Sequence, residues 1–146
     1  MRLTKNTNFQ IAKGLLNDVF AKTEPLDYNK WVRFIDDRPN FFTWNENTES
    51  GKKTLQNIDE ISENFRERVL ASLSKGGCFA EYDSKKGNYN ISISINKINN
   101  WITIQFARTP RLEDLRIFVE MANHLDALLL VDGTKVVNEE TLKDIV

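Results

Sequence analysis

Residues 89–95, Tyr-Asn-Ile-Ser-Ile-Ser-Ile, alternate apolar and polar side chains without a break. A period of two belongs to a strand with one face buried and the other open to water. It puts Tyr89, Ile91, Ile93 and Ile95 on one side and Asn90, Ser92 and Ser94 on the other. The pattern returns from Trp101 to Ala107, where Ile102, Ile104 and Phe106 oppose Thr103 and Gln105. A third run, Cys78 to Asp83, precedes both across a Ser84–Asn88 turn. Connections this short require antiparallel pairing, so the stretch reads as a three-strand meander.

Other elements group around it. Leu128–Val131, then Asp132-Gly133, then Thr134–Val137 carries the signature of a hairpin with a type I′ turn. Thr109-Pro110 opens a helix that turns Leu112, Leu115, Phe118, Val119, Ala122 and Leu125 inward, and Asn138 caps a short last helix through Ile145. After a polar loop from Asn45 to Lys53, the stripe Leu55, Ile58, Ser62, Phe65, Val69 and Leu73 predicts one amphipathic helix that Gly76-Gly77 stops. Near the start, Thr7-Asn8-Phe9-Gln10 has the form of a capping box. Phe9, Ala12, Leu16, Val19 and Phe20 recur behind it at helical spacing, which predicts a first helix. Trp31–Ile35 and Phe41–Trp44 have strand composition around an Asp36–Asn40 turn and read as a hairpin; a short helix capped by Asp27 is the alternative for the first segment. The expected order is αββαβββαββα: a single α+β domain over residues 1–146, a two-layer antiparallel sheet with helices on one face.

Charge and special residues narrow the function. Twenty basic and 21 acidic side chains give a net charge of −1, with twelve basic and eleven acidic residues falling in positions 1–75. The polycationic footprint of a phosphate-backbone binder is missing. Cys78 is the one cysteine, which excludes an intrachain disulfide and a cysteine zinc site and fits a reducing compartment. His124 is the one histidine, so His-pair metal sites are excluded too. Ser50-Gly51-Lys52-Lys53-Thr54 fails as a phosphate loop, because Glu46 and Lys53 stand where glycine and Ser/Thr are needed. The N-terminus lacks a signal-peptide pattern, and the longest apolar run, Ala127 to Val131, is far too short for a membrane span. A cytoplasmic location, no membrane contact and no cofactor are the expectations.

The candidate functional surface is the aromatic and acidic segment 31–49. It carries Trp31, Phe34, Phe41, Phe42 and Trp44 among Asp36, Asp37, Arg38, Glu46 and Glu49. Aromatic residues and arginine make interface hot spots; equally, these rings could fill the core, where large apolar side chains usually lie. The polar sheet face (Asn90, Ser92, Ser94, Thr103, Gln105) is a second candidate. In size, charge, α+β layout and the acids of Trp31 to Glu49, the chain resembles the small bacterial immunity proteins of polymorphic-toxin and contact-dependent inhibition systems. That resemblance rests on layout and composition, without a diagnostic motif. It implies a non-enzymatic protein whose partner is a toxin domain encoded nearby. Trp31, Asp36, Asp37, Arg38, Phe41, Trp44, Glu46 and Glu49 would make the contact, the acids meeting a basic nuclease electrostatically. The alternatives are a carboxylate-based enzyme using Arg38 or Arg108, and a nucleic-acid binder using the polar sheet face.

Overall fold

The computed structural model describes residues 2–16, 24–96 and 101–144. Seven strands among them form one antiparallel sheet: β1 (Phe9–Ala12), β2 (Phe42–Trp44), β3 (Gly77–Asp83), β4 (Asn88–Asn96), β5 (Trp101–Phe106), β6 (Leu128–Val131) and β7 (Lys135–Val137). Their spatial order is β2-β3-β4-β5-β1-β6-β7. Among the described residues five α-helices complete the α+β fold: α1 (Tyr28–Asp36), α2 (Glu49–Gln56), α3 (Glu63–Ser72), α4 (Leu112–His124) and α5 (Glu139–Leu142). Among the described residues no helix is long and apolar enough to cross a membrane.

The predicted meander is present, with Ile93 opposite Cys78 on one side and Ile104 on the other. Its isoleucines join Trp31, Phe34 and Ile35 of α1 and Leu115, Phe118 and Met121 of α4 in a single core. The Asp132-Gly133 hairpin also forms as expected: both residues have positive φ, 53° and 76°, the type I′ signature. The last helix is capped by Asn138, whose side-chain oxygen accepts the Thr141 N–H. It ends at Leu142, and Ile145 lies outside the described residues.

Three of the expected secondary-structure elements are corrected. The first concerns the N-terminus, where Phe9–Ala12 is a strand rather than the start of a helix. Thr7 spends its hydroxyl on a local turn, accepting the Thr4 N–H, and Gln10 accepts the Gly133 N–H instead of closing a capping box. β1 fills the gap between β5 and β6, with Phe9 opposite both Ile104 and Val131. Both flanking strands thus supply ladder hydrogen bonds, and that tertiary gain overrides a helix already weakened by Gly14. Val19 and Phe20, part of the same expectation, lie outside the described residues.

The second correction replaces the Trp31–Ile35 strand with α1, the alternative that Asp27 suggested. The Asp27 carboxylate accepts the Lys30 N–H at 3.1 Å, and Trp31, Phe34 and Ile35 are buried at helical spacing. The hairpin therefore does not form, although Phe42–Trp44 is a strand, paired with β3.

The third correction divides the single helix expected from Thr54 to Leu73. Thr48 caps α2 by accepting the Gly51 N–H, so a helix begins inside the segment expected to be a polar loop. It stops at Gln56; a 3-10 turn, Ile58–Glu60, follows before α3. Arg66 secures the break by donating to the carbonyls of Asp59 and Ile61. Little of the apolar stripe reaches the core: Leu73 is buried, while Phe65 remains 57% exposed.

Candidate binding groove

One residue redirects the end of the β3–β4 hairpin. Along β3, Cys78 and Ala80 point into the core, which sets Phe79 on the opposite face. Glu81 then takes a left-handed backbone, φ 58°, and pairing lapses between it and Asn90. Register resumes with Tyr82 opposite Tyr89. Strict alternation would keep Tyr89 with the buried isoleucines. Instead its ring stacks on Phe79, centroids 5.3 Å apart and planes at 28°, so it shares the open face. This corrects the sequence expectation for Tyr89. Tyr82 meets Tyr89 at 66° with centroids 5.1 Å apart, and it is 58% exposed.

A clamp of charges holds the left-handed residue. Left-handed backbone costs a non-glycine residue roughly 1–2 kcal/mol. The Glu81 carboxylate accepts from Arg108 Nε at 2.6 Å and Nη2 at 2.9 Å, and from the Asn90 amide at 2.7 Å. On its far side the same guanidinium donates to both oxygens of Asp114, at 2.7 and 3.0 Å, and to the Thr109 carbonyl. Asp114 also accepts the Arg111 N–H, closing the start of α4. Hydrogen bonding to Arg108 holds the Glu81 carboxyl below the usual glutamate range despite the opposing effect of burial. All five guanidinium N–H groups of Arg108 are engaged. It has no donor left for a substrate, so its role here is structural.

Tyr82 and Tyr89 form part of a groove of about 740 Å³ on the open face, with Phe79, Asn88 and Ser92 beside them. The opposite rim is Asn45, from the 3-10 turn Asn45–Asn47, with the cap and first residues of α2, Thr48, Glu49 and Ser50. Gly51 makes that rim possible, because any Cβ there would run into the Asn45 carbonyl. Glu49 is the one charged side chain in the lining. No hydrogen bond or ion pair holds its carboxylate among the described residues.

The segment singled out in the sequence disperses. Trp31 is fully buried and Trp44 is 7% exposed, with their rings edge to face at 5.4 Å, so both belong to the core. Neither can meet a partner while the fold is intact. Asp36 accepts the Trp44 indole N–H at 2.8 Å and lies 3.5 Å from the Lys75 ammonium. Glu46 accepts the Lys75 backbone N–H, and Tyr28 donates to the Lys75 carbonyl. Glu46 thus fastens the tight turn at Lys75, φ 56°, while the half-exposed Asp36 carboxylate reaches the side chain of the same residue. Arg38 lies over the Phe34 ring at 3.6 Å and reaches Glu120 at 3.7 Å. Asp37 and Phe41 are exposed but do not line the groove; Glu49 does.

From the polar sheet face, Ser92 enters the groove, whereas Asn90 is buried and committed to Glu81. Cys78 is buried; desolvation, with help from the charge of Glu46, pushes its thiol far from the reactive range. Sequence reasoning passed over Phe79, Tyr82 and Tyr89. Phe79 left a trace, being a large ring out of phase with its buried neighbours Cys78 and Ala80. Compared with family models, with curated proteins and with solved structures, the chain has no match.

Proposed function

We propose that this chain is a non-enzymatic binding protein whose groove between α2 and the β3–β4 hairpin receives a protein partner, in the manner of an immunity protein that neutralises a toxin. The observation that carries this reading is the Tyr82–Tyr89 corner: two tyrosines set on an open face and braced from behind by a saturated ion network. Exposed rings on a rigid support lose little freedom on binding, which is what an interface anchor needs. The carboxylate enzyme considered from the sequence is less well supported, because Asp36, Glu46 and Arg108 are occupied in holding the fold. A nucleic-acid site on this face has stacking rings but no lysine or arginine in the lining. A cytoplasmic site of action belongs to the proposal and rests on the lone, unpaired cysteine.

The test is co-expression with the product of the neighbouring gene. A complex that survives size-exclusion chromatography, together with relief of growth arrest, is the expected result. Tyr82→Ala should weaken both, while Asp37→Ala on a separate part of the surface should leave them intact. The absence of both complex and rescue would overturn the reading.

A further inference from the structure

We propose that the groove is a receptor for a cationic side chain, an arginine or lysine presented by the protein partner, held between the Tyr82–Tyr89 corner and Glu49. This rests on the preceding reading that a protein docks here and names the chemistry by which it is recognised. Charge comes first. The lining holds one carboxylate and no cation, so an anionic group gains nothing on entry. Glu49 has no internal counter-ion among the described residues, leaving its charge available to an incoming one. Lysine is present in the adjacent turn, but the Lys86 ammonium turns to the Asn90 amide oxygen at 3.4 Å.

The arrangement of the rings supplies the second argument. A sugar or a nucleobase prefers a flat aromatic platform. Here Phe79 already covers Tyr89 in a stacked pair, and Tyr82 stands across it at 66°. Tyr82, packed edge to face against Tyr89 and more than half exposed, offers its own π surface to a compact positive group, the attraction that aromatic rings exert on ammonium and guanidinium ions. Tyr82, with more than half its surface free, is the accessible wall. The neutral Asn88 and Ser92 side chains can accept the remaining N–H groups of a guanidinium.

The test titrates the full chain with N-acetyl-arginine methylamide and, in parallel, its uncharged isostere N-acetyl-citrulline methylamide and methyl β-glucoside. Amide chemical shifts are the readout. Saturable shifts confined to Glu49, Ser92, Tyr82 and Tyr89 are expected for arginine, in the range of about 1–10 mM for so small a probe. Citrulline should bind at least several-fold more weakly. Glu49→Gln should weaken arginine binding about two- to five-fold and remove most of its salt dependence. Tyr82→Ala should weaken it by a comparable factor, with Tyr82→Phe restoring it, since the ring and not the hydroxyl does the work. Equal binding of arginine and citrulline, or binding of the glucoside alone, overturns the cation site. The co-expression result would be untouched by that outcome. Conversely, arginine binding without any complex in co-expression would sustain the site and overturn the toxin partner.

Discussion

Replacing Arg108 with alanine tests the link between the ion network and the groove. The substitution leaves Asp114, only 8% exposed, with the Arg111 N–H as its single remaining strong donor. Removing one member of a buried, hydrogen-bonded ion pair costs about 3–5 kcal/mol. The Glu81 half of the network is about a third exposed, so its share approaches the 0–1 kcal/mol typical of surface pairs. The low end of the first range, about 3 kcal/mol, is therefore expected. For a chain of this size that is a fall in Tm of roughly 6–12 °C, at about 2–4 °C per kcal/mol. Urea unfolding should show a lower midpoint with an unchanged slope. Without Arg108, Glu81 is also free to leave its left-handed backbone, and Tyr82 and Tyr89 then lose their place on the open face. The Phe79–Tyr89 ring contacts, read as NOEs, should weaken even where the variant is fully folded. A stability loss under about 1 kcal/mol with those contacts intact would refute the reasoning, reducing the network to an ordinary surface pair.

Two further outcomes are expected. Because Arg108 depresses the folded-state pKa of Glu81, the unfolded chain binds more protons in mild acid. This group's contribution to stability is complete above the ordinary glutamate value of about 4.3 and drains away as pH falls through the lower folded value. Denaturation measured between pH 6 and 3 should show that slope in the wild type, and Arg108→Ala should lack this component of it. Trp31→Ala should destabilise by about 3–5 kcal/mol as a core deletion, whereas Phe65→Ala should stay within about 0.5 kcal/mol as a surface change; similar losses at both sites would reverse the placement of the two rings.

Local signals in the chain were enough for elements whose partners are close in sequence. The alternation in β5 and from Ile91 to Ile95 in β4, and the Asp132-Gly133 turn, each specify their geometry within a few residues, and they form as expected. Asp27 likewise held the information for α1, but the strand composition of Trp31–Ile35 masked it until the assembled core supplied the surface in which Trp31, Phe34 and Ile35 are buried. Phe9–Ala12 shows the limit plainly. Four apolar-rich residues suit the first turn of a helix or a short buried strand, and only the vacancy between two distant strands, β5 and β6, decides for the strand.

The groove depended on tertiary structure still more completely. Its rims are separated by some 30 residues of sequence, and its tyrosines face outward because Arg108, 27 positions from Glu81, clamps a backbone angle that no local pattern announces. Periodicity records which side chains should be buried if a strand runs true. A long-range ion pair that twists the strand out of phase leaves no mark in the period, and so the amino-acid order prescribed the β3–β5 meander and the β6–β7 hairpin while the folded chain alone determined the place of β1 and which rings the sheet displays.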